Sequence, residues 1–326
     1  MNAIQGTTRA QVGCAGILVA DTFCGPMKEL PREGQLLTVD SMPTKAGGCA
    51  ANVAIDLVKQ GVAVEVIGCV GRDASAAALC RSLEQDRVGC RHLVYTDGLP
   101  TSRTVVLLVE GQDRRYIHLF GANRAFTIAH IERDWVARLK IFYLGGLGVM
   151  PGIKAAELLE LLTFCRAKGV TTVVDVVIPQ HFSALDELRS LLPHVDYFLP
   201  NADEARLITG ATDPLAQLRA FHHIGANTVI ITQGNAGAVA SRGKEFWRCG
   251  AYPVHLLDPS GAGDAFASGL VTGILREWDL PRALRYASAL GASATRAIGT
   301  TDGVFTAEEA DAFLNSHSLE VSAGKL

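Results

Sequence analysis

The amino-acid sequence predicts an α/β fold: a parallel sheet covered by helices, with a small β-structured lid. Three observations lead there. Short apolar runs rich in β-branched residues alternate with helix-period segments along most of the 326 residues. The 33 glycines gather at the ends of these runs, where a backbone turns sharply or approaches a ligand. Two stretches break the rhythm: 22–45 is rich in Pro and Gly, and 101–126 contains TVVLLVEGQDRRYIHLF, a hairpin pattern turning at 110–114.

Taken in order, strands are expected at 12–19, 64–70, 141–144, 171–177, 197–199 and 228–232. Helix-period segments fall between and after them at 51–60, 76–86, 155–168, 203–208, 214–223 and 270–276. Gly61, Gly169 and Gly225 end three of these helices as left-handed caps do. The body then comprises 1–22, 46–100 and 126–326, and the lid 23–45 and 101–125.

Composition narrows the function classes. A chain that is 48% hydrophobic and 19% charged folds rather than staying disordered. With 30 Lys+Arg against 33 Asp+Glu and no long basic block, it lacks the electrostatic footprint for nucleic acid or for a polybasic membrane anchor. The opening MNAIQGTTRAQ and the short apolar run after it predict neither signal peptide nor transmembrane helix. Eight cysteines without a CxxC pair read as reduced, so a cytoplasmic location is expected.

The most informative segment is Leu257-Asp258-Pro259-Ser260-Gly261-Ala262-Gly263-Asp264-Ala265-Phe266-Ala267-Ser268-Gly269. Gly261, Ala262 and Gly263 have so little bulk that backbone N–H groups can converge on an anion at a helix N-terminus. Asp264, beside that anion site, would be repelled by a phosphate. Its plausible work is to take the proton from a hydroxyl that attacks a phosphoryl group. The bland alternative is an Asp that only caps a helix. No GxxxxGK[ST] loop exists, and Phe266 and Pro151 stand where a dinucleotide fingerprint needs its third Gly, which disfavours a Rossmann oxidoreductase.

A second cluster, Lys45-Ala46-Gly47-Gly48-Cys49-Ala50-Ala51-Asn52, opens another helix. Gly47 and Gly48 allow a ligand to touch backbone, and Asn52 offers donor and acceptor to a polyhydroxylated molecule. Asp21, read as closing the first strand, can accept hydrogen bonds from neighbouring sugar hydroxyls.

Together these residues resemble the ribokinase-like (phosphofructokinase B-type) carbohydrate kinases. The first family pattern runs Gly47-Gly48-x-Ala50-x-Asn52-x-Ala54, then Gly61 and Gly71; the second is Asp258-Pro259-x-Gly261-Ala262-Gly263-Asp264 through Gly269. The resemblance covers 12 to about 313. It implies a ribokinase-like three-layer α/β/α fold with a mostly parallel central sheet and a small β-sheet lid, with ATP and Mg²⁺ as cofactors. By resemblance Asp264 is the base, the amides of Gly261, Ala262 and Gly263 form the anion hole, and Asp21, Gly47, Gly48 and Asn52 bind sugar. Asn201 and Glu204, in Pro200-Asn201-Ala202-Asp203-Glu204, help place Mg²⁺ and the phosphates through water. Thr232, Gly234 and Gly237 are similar to a family hairpin that meets ATP phosphates. A monovalent cation such as K⁺ would sit at Asp258 and Ser260, near Gly299. Ser288 and Gly291 would flank adenine, or simply allow close packing.

The departures concern the acceptor. Val19, and the stretch Leu144-Gly145-Gly146-Leu147, replace polar residues of true ribokinases, which argues against ribose. Arg114 and Arg115 at the hairpin tip can reach an anionic substrate such as a sugar acid or sugar phosphate; the alternative is a solvated tip. Asp73, His222, His223 and the tryptophans read as structural, and Asp175 either lines the cleft or does not. The expected activity is ATP-dependent phosphorylation of a hydroxymethyl group on a small sugar-like substrate. A nucleoside kinase and a non-catalytic sugar-responsive binding protein are the alternatives. Exposed apolar lid residues, read as Val105, Leu107 and Val109, predict a homodimer through the lid.

Overall fold

The computed structural model describes residues 10–112, 114–179 and 185–326, so Asp113 of the hairpin tip and the opening nine residues lie outside the described residues. Strand β1 (Val12–Gly16) opens the body; β2 (Val19–Met27) and β3 (Thr44–Gly47) form part of the lid, and α1 (Cys49–Lys59) returns to the body. Next come β4 (Val64–Ile67), β5 (Cys69–Gly71), α2 (Ala74–Gln85) and β6 (Val94–Thr96), then the lid hairpin of β7 (Arg103–Val109) and β8 (Arg115–Leu119). The middle of the chain carries α3 (Arg133–Val136), β9 (Ile141–Leu147), α4 (Ala155–Ala167), β10 (Thr171–Val176), α5 (Leu185–Leu191), β11 (Tyr197–Leu199), α6 (Ala202–Thr209) and α7 (Pro214–His223). It closes with β12 (Thr228–Thr232), β13 (Ala238–Arg242), β14 (Glu245–Cys249), α8 (Ala262–Leu275), α9 (Leu280–Ala294), α10 (Ala307–Ser316) and β15 (Val321–Lys325).

The main sheet runs β15-β14-β13-β12-β11-β10-β9-β1-β4. From β4 to β12 every pairing is parallel, with Val12 opposite both Val64 and Ile141. Strand period then separates two apolar layers. Cys14, Tyr143, Val173 and Ile230 face helices α1, α8 and α9, whereas Ala15, Phe142, Val174 and Ile231 face α4 to α7. Helices α8 and α9 lie close because a Cβ at Gly269 would sit 2.6 Å from the Ala287 backbone, an approach only glycine permits.

Three expectations about strands change. The 12–19 run breaks after Gly16, because a Cβ there would lie 2.0 Å from the Gly145 carbonyl oxygen; Val19 onward belongs to the lid sheet, and Asp21 with it. The 64–70 run likewise divides, and β5 leaves the main sheet to pair with β6. Strands β13, β14 and β15 add an antiparallel edge that the helix–strand alternation did not announce.

The lid is a four-stranded sheet, β3-β2-β7-β8, with its hairpin turning after Val109 as the sequence predicted. Its exposed apolar residues are not those expected: Val105 and Leu107 are half-buried, Val109 is 5% exposed, and the exposed side chains are Tyr116, Ile117 and Leu119 of the edge strand β8. Among the described residues no helix is long and apolar enough to cross a membrane.

Candidate active site

Helix α8 begins in a turn that only glycine makes comfortably. Gly261 has φ 76°, and a Cβ on it would lie 1.9 Å from the Thr300 carbonyl oxygen. The first turn of a helix leaves amides without intrahelical acceptors; that of Ala262 makes only a long 3.4 Å bond to Pro259 O. A Cβ on Gly263 would meet nothing within 4 Å, so the protein leaves space at that point of the turn. Asp258 anchors the turn from beneath. It is 2% exposed, and its two carboxylate oxygens accept from Ser260 N (2.9 Å) and Gly299 N (3.1 Å).

Asp264 stands in the first turn of α8 and accepts a 2.7 Å hydrogen bond from Asn52 Nδ2. The other end of the Asn52 amide accepts from Thr300 Oγ1 at 2.9 Å, so Asn52 is fixed in one orientation. Burial raises the Asp264 carboxyl, and hydrogen bonds from Asn52 and Cys49 oppose that rise. Cys49 offers no sequence signal beyond its place after Gly48, yet one donor atom each of Cys49, Asp175 and Asp264 lies within 4.8 Å of the others. Asp175 also accepts a 3.0 Å bond from the buried Tyr143 hydroxyl, and burial first, then the Asp264 charge, pushes its carboxyl well up.

Three cavities meet this turn. A lid-side cavity of about 150 Å³ is lined by Asp21, Asn52, Phe23, Tyr116, Ser260 and Asp264. A cavity of about 230 Å³ at the carboxyl ends of β10 and β11 is lined by Asp175, Asn201, Glu204, Thr232, the 261–263 backbone and Asp264. The third, about 510 Å³ and mostly apolar, lies between the β12–β13 turn, the 251–256 loop and α9, with Gly234, Gly237, Ser288 and Gly291 on its walls.

The remaining sequence candidates sort by these cavities. Asp21 faces the lid-side one at 8% exposure; burial pushes its carboxyl up to about 6, partly offset by a hydrogen bond from Thr104 and reinforced by Asp264. Gly47 and Gly48 do not line it. Their missing side chains let β3 and α1 close on the protein itself, a Cβ at Gly47 falling 1.9 Å from Asp21 Oδ2. Asn201 caps α6 and forms a reciprocal box with Glu204, whose Oε2 accepts the Asn201 N–H at 2.8 Å. Burial pushes the Glu204 carboxyl up to about 7 despite that bond. A buried carboxylate short of positive charge, beside an amide oxygen, suits a hard divalent cation such as Mg²⁺. Ser260 Oγ is buried without a partner among the described residues, and beside Asp258 it suits a further small cation.

Asp73 caps α2 and accepts from Thr101, while His222 bonds Ala226 O and Ser241 Oγ, so both serve the fold. The hairpin arginines part company. Arg115 is exposed and bonds Gln112, whereas Arg114 turns inward until Nε is 3.9 Å from Asp258 Oδ1.

A parallel sheet between helix layers, a lid sheet, and a carboxylate in the first turn of a glycine-opened helix suit phosphoryl transfer to small hydroxylated molecules. The profile of the pfkB family of carbohydrate kinases matches residues 10–307, and the chain belongs to that family. It is 26% identical to an ATP-dependent 6-phosphofructokinase of Thermoanaerobacterium thermosaccharolyticum over 78% of this chain and 80% of that one. It is 25% identical to a ribokinase of Haemophilus influenzae over 87% and 92% of the two chains. A candidate ribokinase II of E. coli, solved with ATP and Mg²⁺, superposes with TM-score 0.80 at 22% identity, covering 94% of this chain and all of its own. The protein is a carbohydrate kinase that phosphorylates sugar-like substrates from ATP.

Proposed function

We propose that the chain transfers the terminal phosphoryl group of ATP in line to a hydroxymethyl group of a small sugar-like acceptor. The lid-side cavity holds the acceptor, the 230 Å³ cavity the phosphates and the 510 Å³ cavity the nucleoside. The observation that carries this reading is that Asp264 belongs to both of the first two, so a hydroxyl in one and a phosphoryl group in the other share one carboxylate.

Asp264 takes the hydroxyl proton late, and Asn52 holds its carboxylate in line. The amides of Gly261, Ala262 and Gly263 receive the charge developing on the transferring oxygens. Asp21 accepts hydrogen bonds from acceptor hydroxyls. Glu204 and Asn201 would hold Mg²⁺ through water; when bound, the ion neutralises phosphate charge. Asp258 and Ser260 would hold K⁺. Thr232, Gly234 and Gly237 face the phosphate and nucleoside ends. A second copy docking on β8 would cover Tyr116, Ile117 and Leu119.

Phe23 and Tyr116 in the lid-side cavity are the observation that favours a nucleoside acceptor. Against it, about 150 Å³ is small beside the ~300–1,000 Å³ of ordinary organic-ligand sites, and suits a single sugar better. The test is acceptor-dependent ADP release with MgATP across sugars, sugar acids, sugar phosphates and nucleosides. A sugar-class hit that disappears in Asp264→Asn supports the reading. A nucleoside hit moves the acceptor assignment, and binding without ADP release turns the protein into a sensor.

A further inference from the structure

Three strands of the lid bring one polar row together. Asp21 of β2 is level with Thr104 of β7, and Thr104 is level with His118 of β8, so the three side chains share one face of the lid sheet. That face looks into the cleft, since Asp21, Thr104 and Tyr116, two residues before His118, line the lid-side cavity. Asp21 and Thr104 are each 8% exposed. Asp21 accepts a hydrogen bond from the Thr104 hydroxyl, and Thr104 Oγ1 lies 3.0 Å from His118 Nδ1. The imidazole also packs edge to face on Phe120, ring centroids 4.7 Å apart.

Proton counting gives this row a direction. A hydroxyl has one proton to give, and an ionised carboxylate only accepts, so with the Thr104 proton on Asp21 the same oxygen must accept from His118. The proton of the neutral ring then sits on Nδ1, whereas an unconstrained imidazole prefers it on Nε2. Of the ionisable groups near Asp21, Lys45 stands opposite on β3 and bonds Asp302 at 2.8 Å, Asp264 belongs to α8, and Arg114 and Tyr116 come from the hairpin. At pH 8, above its value of about 6, Asp21 is ionised, and His118, held low by burial, is neutral.

We propose that Thr104 and His118 are positioning residues for acceptor recognition: the ring donates to the hydroxyl, the hydroxyl donates to Asp21, and the carboxylate is thereby fixed to receive a hydroxyl proton from the substrate. This rests on the reading of the lid-side cavity as the acceptor's. A Thr104 hydroxyl free to rotate could turn its proton to the substrate instead. Locked by His118, this wall of the cavity offers only lone pairs, so the substrate must bring the proton, and an analogue lacking that hydroxyl leaves the carboxylate unpaired. His118 does not line the cavity itself, so its effect reaches the acceptor through Thr104.

The first measurement needs no acceptor. Nitrogen-15 NMR of ring-labelled histidines at pH 8, with His118 assigned through His118→Phe, should show the proton on Nδ1. A proton on Nε2 overturns the proposal, because Thr104 would then donate to the ring and not to Asp21. The second compares wild type, Thr104→Val, His118→Phe, His118→Asn and Asp21→Asn, using MgATP with the best acceptor from the panel and its monodeoxy analogues. Thr104→Val should raise acceptor KM about 10-fold and His118→Phe about 3- to 10-fold, with kcat kept within about threefold. His118→Asn, whose amide N–H can stand where Nδ1–H stood, should return most of that loss. In wild type one deoxy analogue should lose at least ~10-fold in kcat/KM, and Thr104→Val and His118→Phe should narrow that gap to less than about threefold.

A wild-type acceptor KM in both variants overturns the proposal, as does a deoxy penalty that they leave unchanged. Asp21→Asn with a wild-type acceptor KM overturns the acceptor reading of the cavity and this proposal together, whereas a raised KM there beside unaffected Thr104 and His118 variants overturns this one alone. Should the variants melt early, the tautomer in wild type decides.

Discussion

Two glycine-rich turns in this chain look alike in sequence and differ in the space that one of them leaves open. Gly47-Gly48 precedes α1 and Gly261-Ala262-Gly263 opens α8, and the N-caps Gly48 and Gly261 have φ 89° and 76°, values that favour glycine. At the first turn the missing side chains are replaced by protein: a Cβ would meet Asp21 Oδ2 at 1.9 Å or Ile17 O at 2.5 Å. At the second, Gly263 faces open space. The fold closes on Gly47, Gly48 and Gly261 alike, a Cβ on Gly261 falling 1.9 Å from Thr300 O, and the second turn differs in the space left at Gly263. The two meet in the 2.7 Å bond between Asn52 and Asp264, residues 212 positions apart. Under the proposed function the first turn positions and the second reacts.

The largest effect that would break this division concerns Asp264. Asp264→Asn is nearly isosteric and should lower kcat at least ~100-fold with little change in melting temperature. Unchanged turnover would remove the base from α8. Next comes Glu204. Its carboxyl at about 7 predicts an acid limb at or below that pH in kcat/KM for MgATP, because protonation discards a metal-holding charge. Glu204→Gln should abolish that limb and cost ~10- to 100-fold in Mg²⁺ affinity, both read from magnesium titrations of turnover.

The glycines sharpen the comparison directly. Gly48→Ala, forced to φ 89° against Ile17 O, should lose about 1–3 kcal/mol in urea unfolding. Gly263→Ala should unfold like wild type and raise KM for ATP, since its new methyl enters the cleft rather than the core. Equal destabilisation by both would erase the distinction.

The last expected effect, opposite in sign, is at Asp21. Its carboxyl, raised from 3.8 to about 6, favours the folded state only while protonated, so that contribution is complete below about pH 4 and lost as pH rises through about 6. Asp21→Asn should therefore melt higher than wild type at pH 7.5, by up to about 3 kcal/mol, and lose that advantage at pH 4. The same substitution should weaken acceptor binding, a stability gain at the expense of function.

Much of this was legible from local patterns. Strands 197–199 and 228–232 match β11 and β12 to the residue, because short β-branched runs between helices have few other uses. The long Asp258-to-Gly269 pattern located α8 and Asp264 because small residues ahead of a helix state a backbone requirement directly. Less legible was the edge from β13 to β15: Glu245–Cys249 is short and half exposed, and pairs with a strand some seventy residues later. Cys49 and Thr300 carried no signal of their own. Cys49 looked like any core cysteine, and Thr300 reaches Asn52 only because the 299–302 loop folds over α1.

By itself the sequence determined the alternation of strands and helices, the hairpin and both turns, since each follows from local periodicity or from residues that must lack a side chain, while the layer order and the kind of chemistry came with the family resemblance its motifs carry. Only the tertiary structure decided which strand leaves the main sheet at Gly16, that Asn52 holds Asp264, and that Arg114 turns into the cleft while Arg115 stays in water. Those outcomes depend on contacts between distant segments, where distances of a few ångströms are set by how whole layers pack, and no local pattern encodes them.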